Sequence, residues 1–178
     1  SLPSPLPSYG PDNCPHDLEV VDWGHAYELL LMSAVRLSRE VAKRMKDEGI
    51  KGDILLISSA GIHEEPGHLL LSGAMRAGIA VLAKHMSHVL AGTGIRVNVV
   101  ALGYFDTGRV HDRIETLVAD NGLDRPVAIE RVAGANPMKR VGRAEEVAEL
   151  VAFMVGDRAE FLNGTTIVID GGSNCLVT

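Results

Sequence analysis

Apolar residues along this chain recur with two different periods, and each change of period marks a new element. Ile54-Leu-Leu-Ile runs four apolar residues without alternation and ends in Ser58 and Ser59. That is the pattern of a strand buried on both faces, as in a parallel sheet. Beyond a loop, Met75, Ile79, Leu82, Met86 and Val89 or Leu90 recur at spacings of three and four, which predicts a helix over about 69–91. After the Gly92-Thr93-Gly94 break, Ile95 to Val100 predicts a second buried strand. Strand, helix, strand is the unit of an α/β fold, whose ligands bind beyond the carboxyl ends of the strands. Ser58 and Ser59 stand at such an end.

Upstream, Asp22 is positioned to cap a helix from about Trp23 to Glu48. Its apolar stripe passes through Ala26, Leu29, Leu30, Ala34, Leu37, Val41 and Met45. A series that opens on a helix is unusual, because α/β units normally open on a strand. Residues Ser1 to Pro15 hold five of the eight prolines and read as an extended loop, so that 1–20 forms a tail. Downstream, two short helical stretches up to about Gly134 read as a partly solvated insertion. Glu145 and Glu146 then open an amphipathic helix through Val147, Leu150, Val151 and Met154. Asn163-Gly164 turns into a last strand, Thr165 to Asp170.

Composition narrows the setting. The 178 residues suffice for one domain with a substantial core. A net charge of −6 without a basic run argues against a nucleic-acid partner. No window approaches a membrane span and no signal pattern opens the chain. Cys14 and Cys175 belong to no motif, which suits a reducing, cytoplasmic compartment and speaks against a metal site.

These elements, with Gly94-Ile-Arg-Val-Asn98, Gly103-Tyr-Phe-Asp-Thr107, Arg140-Val-Gly-Arg-Ala-Glu-Glu146 and Gly164-Thr-Thr-Ile-Val-Ile-Asp-Gly-Gly172, resemble the short-chain dehydrogenase/reductase family from about Trp23 to Gly172. The run Leu71-Ser72 to Arg76, followed by Thr107-Gly-Arg-Val110, is similar to a branch labelled 3-oxoacyl-acyl-carrier-protein reductase-like. The resemblance implies a Rossmann-like, doubly wound parallel sheet, seen here without its glycine-rich N-terminal βαβ portion. No Gly-x-Gly-x-x-Gly occurs, so an N-terminal segment is expected to have been cleaved, to be disordered, or to be carried elsewhere. It also implies NAD or NADP as cofactor, a small carbonyl or alcohol substrate, a substrate-side lid over 104–136, and a homodimer or homotetramer built on the two long helices.

The family places a Ser after the first of these strands, a Tyr thirteen residues on, a Lys four further, and an Asn in the earlier helix. Here those positions hold Ser59, Ser72, Arg76 and Leu30. Ser59 suits hydrogen bonding to a substrate oxygen, or equally the cap of its own loop. Ser72 is a far weaker acid than a phenol and much shorter. Arg76 stays charged and suits a ribose or phosphate contact better than proton transfer. In the cofactor loop, Gly103, the backbone near Phe105 and the Thr107 hydroxyl would face the nicotinamide amide, although Leu102 stands where the family has proline. Tyr104 and His111 are candidates for the missing proton donor.

Other constellations are weaker. His63 and His68 are five apart across Pro66-Gly67, which breaks the helix a zinc-protease box needs. His85 and His88 share a helix face without a carboxylate or thiol. Three readings follow: an NAD(P)-dependent oxidoreductase with a degenerate site, a non-catalytic binding or regulatory subunit, and non-redox chemistry as in halohydrin dehalogenases.

Overall fold

The computed structural model describes residues 18–63, 70–133 and 136–175. The expected tail, apart from its last residues, lies outside them, and so does His68 of the His63–His68 pair.

Three parallel strands, β1 (Gly52–Ser59), β2 (Ile95–Leu102) and β3 (Thr166–Ile169), form one sheet in the order β1-β2-β3. Helix α3 (Leu70–Leu90) joins β1 to β2, and α4 (Gly108–Asn121), α5 (Arg125–Ala133) and α6 (Ala144–Met154) lie between β2 and β3. This is the expected Rossmann-like α/β architecture. Ile95, Val97, Val99 and Val100 of the central strand are no more than 1% exposed. Ile54, Ile95, Val97 and Val99 pack with Ala83, Met86 and Leu90 of α3 and with Ala42 of the preceding helix. Burial of each such aliphatic side chain stabilises the fold by about 1.5–3 kcal/mol.

Burial on both faces is seen in β2. Among the described residues β1 pairs only with β2, and its Ile57 is 46% exposed.

The first helix also departs from expectation. It begins at Val20 with Glu19 at its N-cap and no side-chain cap, so Asp22 lies inside the first turn. Between α1 (Val20–Ala26) and α2 (Ser33–Asp47) the chain winds as a π-helix over Tyr27–Met32. Ser33 donates its hydroxyl to the Leu29 carbonyl at 2.6 Å, satisfying a group beside the irregular turn. One inserted residue advances a helix by about 100°, and the apolar stripe no longer faces the core throughout. Leu29, Leu37 and Val41 are 40%, 70% and 46% exposed, and the buried positions are Ala26, Ser38 and Ala42.

Two asparagines clamp the last strand. Buried Asn98 donates to the Leu162 carbonyl at 2.9 Å and accepts from Thr165 N–H at 3.1 Å. Asn163 accepts from Val97 N–H at 3.0 Å and donates to the Ser87 carbonyl at 3.1 Å. Gly164, at φ 71°, turns the chain where a Cβ would collide with the Ser87 hydroxyl.

Candidate active site

The carboxyl ends of β1 and β2 carry the residues that the sequence points to. Ser59 ends β1 and caps the 3₁₀ turn Ala60–Ile62, accepting from Gly61 N–H at 3.3 Å. That turn packs against α3. Within α3, Arg76 Nε donates to Ser72 Oγ at 3.1 Å, so these two candidate residues form a pair on one helix face. Arg76 is half-buried, and burial, then the charge of Arg109, push its guanidinium below the ordinary arginine value. Arg109 is the second residue of α4.

The loop after β2 is fixed on one side and open on the other. Tyr104 C=O accepts from Gly142 N–H at 2.9 Å, and Asp106 N–H donates to Gly142 C=O at 2.8 Å. This bridge leaves the backbone of Phe105 turned the other way, its carbonyl accepting from the Thr107 hydroxyl at 3.1 Å. The Phe105 ring is buried over Gly142, where a Cβ would meet the ring itself. Gly103 has a structural duty: its N–H donates to the Ile169 carbonyl at 2.9 Å, and a Cβ there would lie 2.7 Å from the Asp170 Cα. That close approach to the residue after β3 leaves no room for a side chain.

The alternative proton donors occupy different surroundings. His111 Nε2 lies 2.6 Å from Asp106 Oδ1, both side chains more than half exposed. Tyr104 is half-buried, packs on the apolar cluster of α4 and α5, and has the Arg113 guanidinium 5.9 Å from its ring centre. Leu30, at the Asn position, falls within the π-turn, whose Leu31 packs on Gly78 of α3.

Several features were not foreseen. Ser58 Oγ is buried without a hydrogen-bond partner among the described residues, as is His63 Nε2. Strand alternation signals the first, since Ser58 shares a face with Ile54 and Leu56, which pack beneath α3. A cavity of about 130 Å³ also opens beside Phe105, Asn136, Arg140, Glu146 and Asp170. Buried Asn136 Oδ1 finds no partner there among the described residues. Arg140 holds the Glu146 carboxylate through two contacts, at 2.7 and 2.8 Å, and Arg143 N–H donates to it at 2.8 Å. The guanidinium bonds, then the backbone bond, bring the Glu146 pKa down to about 2.

The enoyl-(acyl carrier protein) reductase family pattern matches residues 11–174. A chloroplastic NADPH-dependent aldehyde reductase-like protein of Arabidopsis thaliana is 33% identical over 156 residues, covering 88% of this chain and 54% of that protein. A 3-oxoacyl-[acyl-carrier-protein] reductase of Thermotoga maritima is 31% identical over 152 residues, covering 85% of this chain and 56% of that protein. The crystal structure of L-sorbose reductase from Gluconobacter frateurii, complexed with NADPH and L-sorbose, superposes with a TM-score of 0.86 at 25% identity. It is matched over 95% of this chain and 64% of that one. The chain belongs to the short-chain dehydrogenase/reductase family, with 3-oxoacyl-carrier-protein reductases among its relatives. It spans about half the length of the curated relatives it matches.

Proposed function

We propose that the protein is an NAD(P)-dependent oxidoreductase that interconverts a small carbonyl compound and its alcohol, with proton-transfer groups that depart from those of its family. The observation that carries this reading is the loop after β2. Bridging to Gly142 leaves the Phe105 backbone facing away, beside the Thr107 hydroxyl, where a carboxamide has both kinds of hydrogen-bond partner. Arg76 suits the ribose side of the same site. A bound nicotinamide supplies or takes up the hydride. Ser59 accepts from Gly61 N–H and keeps its own proton for a substrate oxygen. Ser72, accepting from Arg76, keeps its proton as well. Neither aliphatic hydroxyl is a strong enough acid to replace a phenol, and the exposed His111–Asp106 pair is the better proton source. The helical hairpin of α4 and α5, within 104–136, acts as the substrate-side lid.

Exposed Leu37 and Val41 on α2 and Val81 and Val89 on α3 support a homodimer or homotetramer. The exposed Cys175 thiol suits a reducing cytoplasm. No helix among the described residues is long and apolar enough to cross a membrane. The competing reading, a non-catalytic binding subunit, is favoured by the Arg76–Ser72 bond, which gives both residues a structural part within α3. Consumption of NADPH or NADH with aldehydes and ketones separates the two: turnover supports the enzyme, and dinucleotide binding without turnover supports the subunit.

A further inference from the structure

The cavity of about 130 Å³ beside Phe105 combines apolar walls with one buried polar atom that lacks a partner. Phe105 and Ile169 line it, and so does Met138, which is 59% exposed. A space of about 150 Å³ holds a benzene ring, so this one has the size of a small aromatic molecule. Its charged groups are satisfied by their neighbours. Arg140 and Glu146 hold each other through two contacts, at 2.7 and 2.8 Å. The Asp170 carboxylate accepts from Gly172 N–H and Asn174 N–H at 2.9 Å and from Asn174 Nδ2 at 2.7 Å. Asn136 is different. It is 4% exposed, and its Nδ2 donates to the Arg140 carbonyl at 2.8 Å, which leaves Oδ1 buried without a donor among the described residues. Gly171, also at the cavity, brings no side chain to that oxygen; a Cβ there would lie 2.9 Å from it. A buried amide oxygen is ordinarily hydrogen-bonded, so Asn136 calls for an N–H or O–H from whatever fills the cavity.

We propose that this cavity is a binding site for a small neutral molecule carrying an apolar ring and one hydroxyl or N–H donor, phenol being the simplest example. Charge decides against the alternatives. Two carboxylates against one guanidinium repel an anion, and a cation would find both carboxylates already engaged. Ser59, Ser72 and Arg76 are not among the residues that line the cavity, so its occupant is bound apart from the hydroxyls assigned to the reaction. The inference goes beyond the oxidoreductase reading and does not rest on it.

The test is binding of phenol to the purified protein, followed by calorimetry and by the methionine methyl resonances, with Met138 assigned by its loss in M138L. Benzene serves as the probe without a donor and benzoate as the charged one. Phenol gives up more hydration than benzene on entering an apolar space, so it binds more tightly only if its hydroxyl finds an acceptor. The expected result is saturable phenol binding that shifts the Met138 methyl and is about tenfold tighter than that of benzene, as one hydrogen bond to a buried acceptor supplies. Benzoate does not bind, and the preference for phenol disappears in a folded N136A. Phenol binding no tighter than benzene to the unaltered protein overturns the proposal whether or not N136A folds. So do the absence of saturable binding, benzoate binding that matches phenol, and shifts confined to methionines other than Met138. A phenol preference retained in folded N136A overturns it as well. No cofactor is present and no turnover is read, so failure here leaves the oxidoreductase reading untouched.

Discussion

Arg76 Nε donates to Ser72 Oγ at 3.1 Å, joining successive turns of α3. The pair is complementary: an arginine carries a side-facing Nε–H that a lysine lacks, and a serine one turn earlier offers it an acceptor.

Removing the acceptor should free the Arg76 guanidinium without unfolding the helix. S72A is expected to cost no more than about 1.5 kcal/mol in urea unfolding, yet to raise KM for the cofactor more than it lowers kcat. A fall in kcat alone, with KM unchanged, would instead place the Ser72 hydroxyl in proton transfer.

The proton source is tested at the start of α4. H111N should lower kcat by about a hundredfold or more if the His111–Asp106 pair supplies the proton, whereas Y104F should leave it near the unaltered value. Both variants are read by initial rates across pH, and unchanged turnover in H111N would remove that residue from the chemistry.

Glu146 predicts an acid-limb effect. Its folded pKa, about 2, lies below the ordinary 4.5, so the stability it contributes is present above about 4.5 and is lost as pH falls towards 2. Thermal midpoints recorded over that window should drop more steeply for the unaltered protein than for E146Q. Parallel curves would mean that the contacts with Arg140 and Arg143 N–H contribute nothing to folding.

Two packing sites should be intolerant. N98A leaves the Leu162 carbonyl and Thr165 N–H without their buried partner and should cost about 1–3 kcal/mol in denaturant unfolding. G142A drives a Cβ into the Phe105 ring and should cost a similar amount, while shifting the backbone that presents Phe105 to the cofactor.

The sequence made the strands and α3 legible because their side chains meet the core in a fixed rhythm. Ile79, Met86 and Leu90 are buried where the spacing put them, and Val89, the alternative to Leu90, is exposed. The long first helix defeated the same reasoning at one point, since a π-turn over Tyr27–Met32 shifts the phase and propensity carries no sign of it. The apolar run of β1 suits the interior of a sheet, and among the described residues β2 alone pairs with it. At the site, the Ser59, Ser72 and Arg76 frame came from the family resemblance. The hydrogen bond between Arg76 and Ser72 was not legible, because it depends on side-chain rotamers within α3. Gly103 looked like a cofactor residue, and its close approach to Asp170 gives a packing reason that only the folded chain displays.

The most direct test of the central claim is deuterium transfer from a labelled reduced nicotinamide cofactor to a panel of aldehydes, ketones and oxo acids, read by mass spectrometry of the products. The oxidoreductase reading predicts deuterium on the former carbonyl carbon of at least one product. Dinucleotide binding with no label in any product would contradict it and leave a binding subunit in its place.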